Sequence, residues 1–181
     1  MKKDTVIQFV GFVTNLDINE FAPKWEHYAK RLNKKNESSF QQQVTETKNK
    51  FRYISQHQWN DTDSNFSFLN ERKSEHFPEH NVKVVHLGGY LSLQVQSRQP
   101  EEEGDIKLMA FIGHNETDID FYRRLSYRHL NIHQAFYESC LYGYVLEFFV
   151  PESDSGELLQ QLKQRSGVET GIYRECLVPH A

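Results

Sequence analysis

Two apolar runs rich in Val, Ile and Phe, VIQFVGFVT from Val6 and IKLMAFIG from Ile106, open stretches that follow the same plan. Each run meets a short polar break containing Asn and Asp and then passes into residues spaced for one face of a helix. That succession predicts strand, tight loop, helix. In the first stretch the strand covers Val6 to Thr14, Asp17 is placed as N-cap, and Phe21, Trp25, Tyr28, Ala29 and Leu32 form a single apolar stripe. Pro23 falls in the first turns, where a missing N–H is tolerated. In the second stretch Lys107 to Gly113 is the strand, and Thr117 or Asp118 caps a helix reaching Tyr127.

The text between these openings completes two matching series. Residues 33–50, NKKNESSFQQQVTETKNK, are polar and poor in aliphatics, which predicts a loop or a fraying continuation of the helix. FRYISQHQW then alternates with a period of two, placing Phe51, Tyr53, Ser55, His57 and Trp59 on one face and Arg52, Ile54, Gln56 and Gln58 on the other. The turn NDTDSN and the run FSFLNE predict a hairpin partner for that strand. ERKSEHFPEH reads as a short helix and VKVVHLGGYLSLQVQ as a long strand, in which Gly88 and Gly89 mark a bulge or a close backbone approach. After SRQPEEEGD, the second series continues with NIHQAFYES as a strand, CLYG as a turn, YVLEFFV as a strand, SGELLQQLKQRSG as a helix closed by Gly167, and ETGIYRECLVP as the last strand.

Both halves therefore read strand, helix, strand, strand, helix, strand, which is the ferredoxin-like order. The expected fold class is α+β, with two tandem ferredoxin-like modules (βαββαβ twice) packed sheet to sheet as an intramolecular alpha-beta barrel. The expected boundaries are residues 1–99 for the first module, 100–105 for the linker and 106–181 for the second.

Composition narrows the function classes. The 181 residues carry 13 Phe and 9 Tyr, so the core leans on aromatic rings, and charged residues at 25% supply the surface. The net charge of −4 with dispersed Lys and Arg gives no basic stripe for a phosphate backbone, which argues against nucleic acid. No apolar run approaches the roughly 20 residues of a membrane span, and the early polar break disfavours reading the N-terminus as a signal peptide. Cys140 and Cys176 lack CxxC partners, so neither a zinc site nor a disulfide framework is implied, and a cytoplasmic location is expected.

The element order resembles that of the dimeric alpha-beta barrel superfamily in an internally duplicated form, whose members include antibiotic biosynthesis monooxygenases, haem-degrading monooxygenases and chlorite dismutases. In NERKSEHFPEH, the residues Glu71, Ser74, Glu75, Phe77 and His80 echo a stretch of the monooxygenase-like members. The resemblance implies a small-molecule-binding barrel, with a monooxygenase-like enzyme acting on an apolar or aromatic substrate as one reading. A non-catalytic binding or assembly module with a packed interior is the other. Under the first, His80 and His57 are the candidate catalytic residues and Tyr53, Trp59, Phe77 and Tyr144 the candidate ligand-binding residues. Haem is the cofactor the resemblance implies, with the neutral imidazole of His80 as its axial ligand. The expected partner is a small apolar or aromatic molecule, with monomer and homodimer both open. The His76/His80 and His129/His133 pairs have a spacing that could serve a metal, yet no third ligand is fixed, so no metal site is assigned.

Overall fold

In the computed structural model the described residues are 5–32, 38–44, 50–65, 81–95, 105–116, 118–125, 129–165 and 167–176. They form strands β1 (Val6–Val13), β2 (Ser38–Gln43), β3 (Tyr53–Trp59), β4 (Lys83–Gln94), β5 (Asp105–Ile112), β6 (His129–Ala135), β7 (Tyr144–Pro151) and β8 (Val168–Cys176). Helices include α1 (Ile18–Leu32) after β1, α2 (Ile119–Arg123) after β5 and α3 (Ser155–Lys163) after β7. Asp17 accepts from the Glu20 N–H at 3.0 Å and Asp118 from the Phe121 N–H at 3.2 Å, so both helices that follow the opening strands start on the aspartates expected to cap them.

The strands close into one antiparallel barrel in the order β1-β3-β2-β8-β5-β7-β6-β4, with β4 pairing back onto β1. The first four strands lie as β4-β1-β3-β2 and the last four as β8-β5-β7-β6, the same relative order. Registers agree as well. Phe12 faces Tyr53 and Phe9 faces Gln56 between β1 and β3, and Ile112 faces Tyr144 and Met109 faces Glu147 between β5 and β7. The two sets of four meet along β2–β8 and β4–β6, which leaves no free sheet edge.

One expectation is corrected here. Both edges of β3 are occupied, by β1 and β2, so FSFLNE is not its hairpin partner. That partner comes instead from the polar stretch, as β2. Hydrophobic periodicity hides it because Phe40 is the one large apolar residue of SSFQQQ and the inward positions are Ser39, Gln41 and Gln43. Residues 66–80, with Glu71, Phe77 and His80, lie outside the described residues, as do 96–104 at the expected linker.

Period-two alternation divides each strand between an outer layer and the barrel interior. In the first half the outer layer packs β1, β2 and β3 under α1, with Phe21 stacked on Tyr53 at 3.8 Å and 4°. In the second half Leu108, Leu146 and Phe148 pack under α3 through Leu158 and Leu162. The interior holds a third core of Phe9, Phe51, Ile54, Leu87, Phe111 and Tyr173 with their neighbours. At the expected bulge in β4, Gly88 has φ +119° and the β1–β4 register shifts opposite it, between Phe9 and Val10.

Candidate functional site

The interior is apolar at the end where β1 and β5 finish, around Phe51, Phe111 and Tyr142, and polar towards the end where those strands begin. Alternation alone brings Lys107 of β5 and Glu147 of β7 inward, because Leu108, Leu146 and Phe148 belong to the outer layer. His133 of β6 faces Val145, an interior residue, and so also points inward.

These side chains converge on one carboxylate. Lys107 Nζ lies 2.6 Å from Glu147 Oε2, His133 Nε2 lies 2.6 Å from Oε1, and Gln56 Nε2 of β3 donates to Oε2 at 2.9 Å. The far side of the imidazole meets Ser92 of β4, whose Oγ is 2.9 Å from His133 Nδ1. Glu147 and His133 are each 3% exposed and Lys107 is 7% exposed, so an ammonium, a carboxylate and an imidazole share an almost water-free space. The Phe9 ring meets the His133 ring edge-on at 5.3 Å.

Burial acting by itself would raise the Glu147 carboxyl, but the Lys107 charge and the His133 hydrogen bond outweigh it and hold the group well below the usual carboxylate range. An ionised carboxylate only accepts, which assigns the Nε2 proton to His133 and leaves Nδ1 of the neutral ring to accept from the Ser92 hydroxyl. Ser92, His133 and Glu147 thus form a continuous hydrogen-bonded chain from a half-buried hydroxyl to a buried carboxylate.

Of the expected catalytic and ligand-binding residues, those that are described lie elsewhere, and only His133, expected from its spacing with His129, is in the cluster. Tyr53, His57 and Trp59 come together, but on the outer layer of the first half: the Tyr53 hydroxyl donates to the Leu16 carbonyl at 2.7 Å, and Trp59 Nε1 donates to Gln8 Oε1 at 2.8 Å. His57 is fully buried near Trp25 of α1, with Ser38 Oγ at 2.8 Å from Nδ1 and Ser55 Oγ at 2.9 Å from Nε2. Burial, helped by His86, brings its pKa down to about 3. Tyr144 is in the outer layer of the second half, where its hydroxyl accepts from Gln134 Nε2 at 3.3 Å. Phe77 and His80 lie outside the described residues.

Lys107, Glu147 and Gln56 were not singled out as site residues by sequence, although a signal for two of them exists. A single charge at an inward position of an otherwise apolar strand, IKLMAFI or YVLEFFV, marks a buried ion that needs a partner. Ser92 carries no such signal, because only the β4–β6 seam sets it against His133.

For haem, the test is whether an imidazole is free to bind iron. Both nitrogens of His57 and of His133 are already engaged by side chains, so neither buried histidine fits that role. Among the described residues, no three His, Cys, Asp or Glu side chains group as metal ligands, and no helix is long and apolar enough to cross a membrane.

No protein-family model matches the sequence, and no curated protein matches it. Solved structures do. A Trp-to-Phe mutant of chlorite dismutase from Candidatus Nitrospira defluvii, in complex with cyanide, superposes with a TM-score of 0.53 at 9% identity over 96% of this chain and 92% of that one. An Arg-to-Glu mutant of the same enzyme gives 0.55 at 8% identity over 96% and 93%. At such identities the likeness is one of fold. In fold, then, the chain is a closed eight-stranded barrel similar to that of chlorite dismutase.

Proposed function

We propose that this protein binds a small aromatic molecule at the polar end of the barrel interior, in a monooxygenase-like role where Glu147 and His133 handle a proton of the ligand. The observation that carries the reading is the convergence of Lys107, His133 and Gln56 on Glu147 at 2.6, 2.6 and 2.9 Å. Buried ion pairs are poor stabilisers compared with apolar packing, so a cluster of this kind is better accounted for by chemistry or specificity than by stability. Interior-facing Ser39, Gln56, Ser92 and Phe149 are all half-buried, which supports approach from that end, and Phe9 supplies an aromatic wall beside His133. A phenolic hydroxyl next to Ser92 could pass its proton to His133 Nδ1, while Glu147 stabilises the imidazolium that forms. The matching strand order and registers of the two halves support a tandem of two ferredoxin-like modules, 1–99 and 106–181, joined by residues 100–105.

The test is titration with hydroquinone and naphthol, followed by thermal unfolding and by oxygen uptake. Saturable stabilisation that Ser92→Ala or His133→Gln weakens, together with oxygen consumption whose pH profile those changes shift, is the expected result. Neither stabilisation nor uptake with either compound would sink the reading. It would favour a packed module in which the cluster only fixes register, a reading supported by the full burial of Leu87, Phe111 and Val145.

A further inference from the structure

A second polar feature of the interior is left unused by the ionic cluster. Gln41 of β2 faces Ile54 of β3, an interior residue, whereas its neighbour Phe40 belongs to the outer layer under α1. The Gln41 side chain is therefore aimed into the barrel. It is fully buried, and neither Nε2 nor Oε1 meets a hydrogen-bond partner. Gln43, the next inward position of β2, has its Nε2 buried without a partner as well. In the second half the matching position is His133, which faces Val145 as Gln41 faces Ile54, and both of its ring nitrogens are engaged. At this matched position one half of the interior carries an imidazole engaged at both nitrogens, and the other a buried amide engaged at neither atom.

An unmet buried amide is costly, and it presents a donor and an acceptor side by side. A single group that satisfies both at once carries a donor next to an acceptor on one edge, as adenine does when glutamine pairs with its amino N–H and ring nitrogen, and a cyclic amide offers the same pattern as N–H beside C=O. Charge narrows the class further. Lys107 is already matched by Glu147, so no net charge at the cluster calls for an ionic ligand. Gln41 is one strand from Gln56 through β3, and β8 with its interior Tyr173 separates it from Lys107 of β5. We infer that the interior takes a neutral, planar heterocycle bearing a cyclic amide edge, held by a bidentate pair to Gln41 with the Gln43 amide beside it. The inference rests on the interior-site reading above and names the ligand edge which that reading leaves open.

The experiment compares three probes on the whole chain: carbostyril, which carries the cyclic amide edge, N-methylcarbostyril, in which its N–H is blocked, and naphthol, which has a hydroxyl only. Binding is read by calorimetry and by the side-chain amide resonances of Gln41, assigned by their loss in Gln41→Leu. Carbostyril should move those resonances and bind about tenfold or more tightly than its methylated form, the usual discrimination of a bidentate pair. Gln41→Leu should abolish that preference while raising the melting temperature of the free protein. Equal binding of all three probes with the Gln41 resonances unmoved, but with His133 resonances shifted, would overturn the amide-edge inference and leave the interior site standing. No shift at any interior resonance would overturn both. If Gln41→Leu fails to fold, the comparison of carbostyril with its methylated form on the unaltered protein decides.

Discussion

Gln56 Nε2 donates to Glu147 Oε2 at 2.9 Å, and the two residues hold matching places in the two halves of the barrel, opposite Phe9 and Met109 respectively. The bond links β3 to β7, which are not neighbours in the barrel. One half supplies an amide at this position and the other a carboxylate, so the charge and its partners gather in the second half. The bond therefore joins two walls of alike geometry and unlike chemistry.

Removing one partner of the buried pair should be worse than removing both. Lys107→Met leaves Glu147 an uncompensated buried anion and Glu147→Leu strands the ammonium, each costing about 3–5 kcal/mol, whereas the double substitution should lose less than either alone. Urea unfolding of the three variants measures this. A double variant no more stable than the weaker single one would show that packing, not charge, governs the site.

Acid should destabilise the protein in two stages. His57 titrates at 6.5 in the unfolded chain and at about 3 in the folded one, so its contribution is complete above pH 6.5 and is lost as pH falls towards 3. The slope is about 1.4 kcal/mol per pH unit within that window. Glu147, depressed by folding, adds a second loss as pH falls below its unfolded value of 4.5. Unfolding free energies at stepped pH should show both, and His57→Asn should flatten the first stage while leaving the second.

The outer-layer tyrosine should affect stability alone. Tyr53→Phe removes the hydrogen bond to the Leu16 carbonyl and should cost about 1 kcal/mol, and Tyr53→Ala about 3–5 kcal/mol through loss of the ring stacked on Phe21. Neither truncation should alter the affinity of a probe bound in the interior. A Tyr53→Phe protein of normal stability with impaired binding would move the site to the α1 side.

At the β4 bulge, Gly88→Ala should cost about 2 kcal/mol or more. Its φ of +119° is closed to ordinary L side chains, and an added Cβ would lie 2.5 Å from Cys140 Sγ and 3.1 Å from Cys140 Cα. Because the dihedral and the backbone contact remain, Cys140→Ala should fail to restore the loss. Thermal melts of the single and double variants test both statements.

The element series was legible because strands and helices announce themselves through periodicity. Phe21, Trp25 and Tyr28 predicted α1, the apolar runs predicted β1, β5 and β7, and Gly88–Gly89 marked the bulge. β2 escaped because a strand whose interior face is serine and glutamine has no hydrophobic alternation to display. The resemblance built on residues 71–80 and the alternating face of FRYISQHQW drew attention to His57, Tyr53 and Trp59, but period two states only that a strand has two faces. It does not say which one turns towards a helix and which towards a barrel axis.

By itself, then, the sequence determined β1, α1, β3, β4 and the strands of the second half, since these follow from local spacing and capping, but not β2. Only the tertiary structure decided that the barrel closes through β2–β8 and β4–β6, that Ser92, His133, Glu147, Lys107 and Gln56 meet inside it, and that Gln41 points into the same interior without a partner. The physical reason is separation along the chain. Those groups come from β2, β3, β4, β5, β6 and β7, and contacts between distant strands are set by pairing register, which no local period encodes.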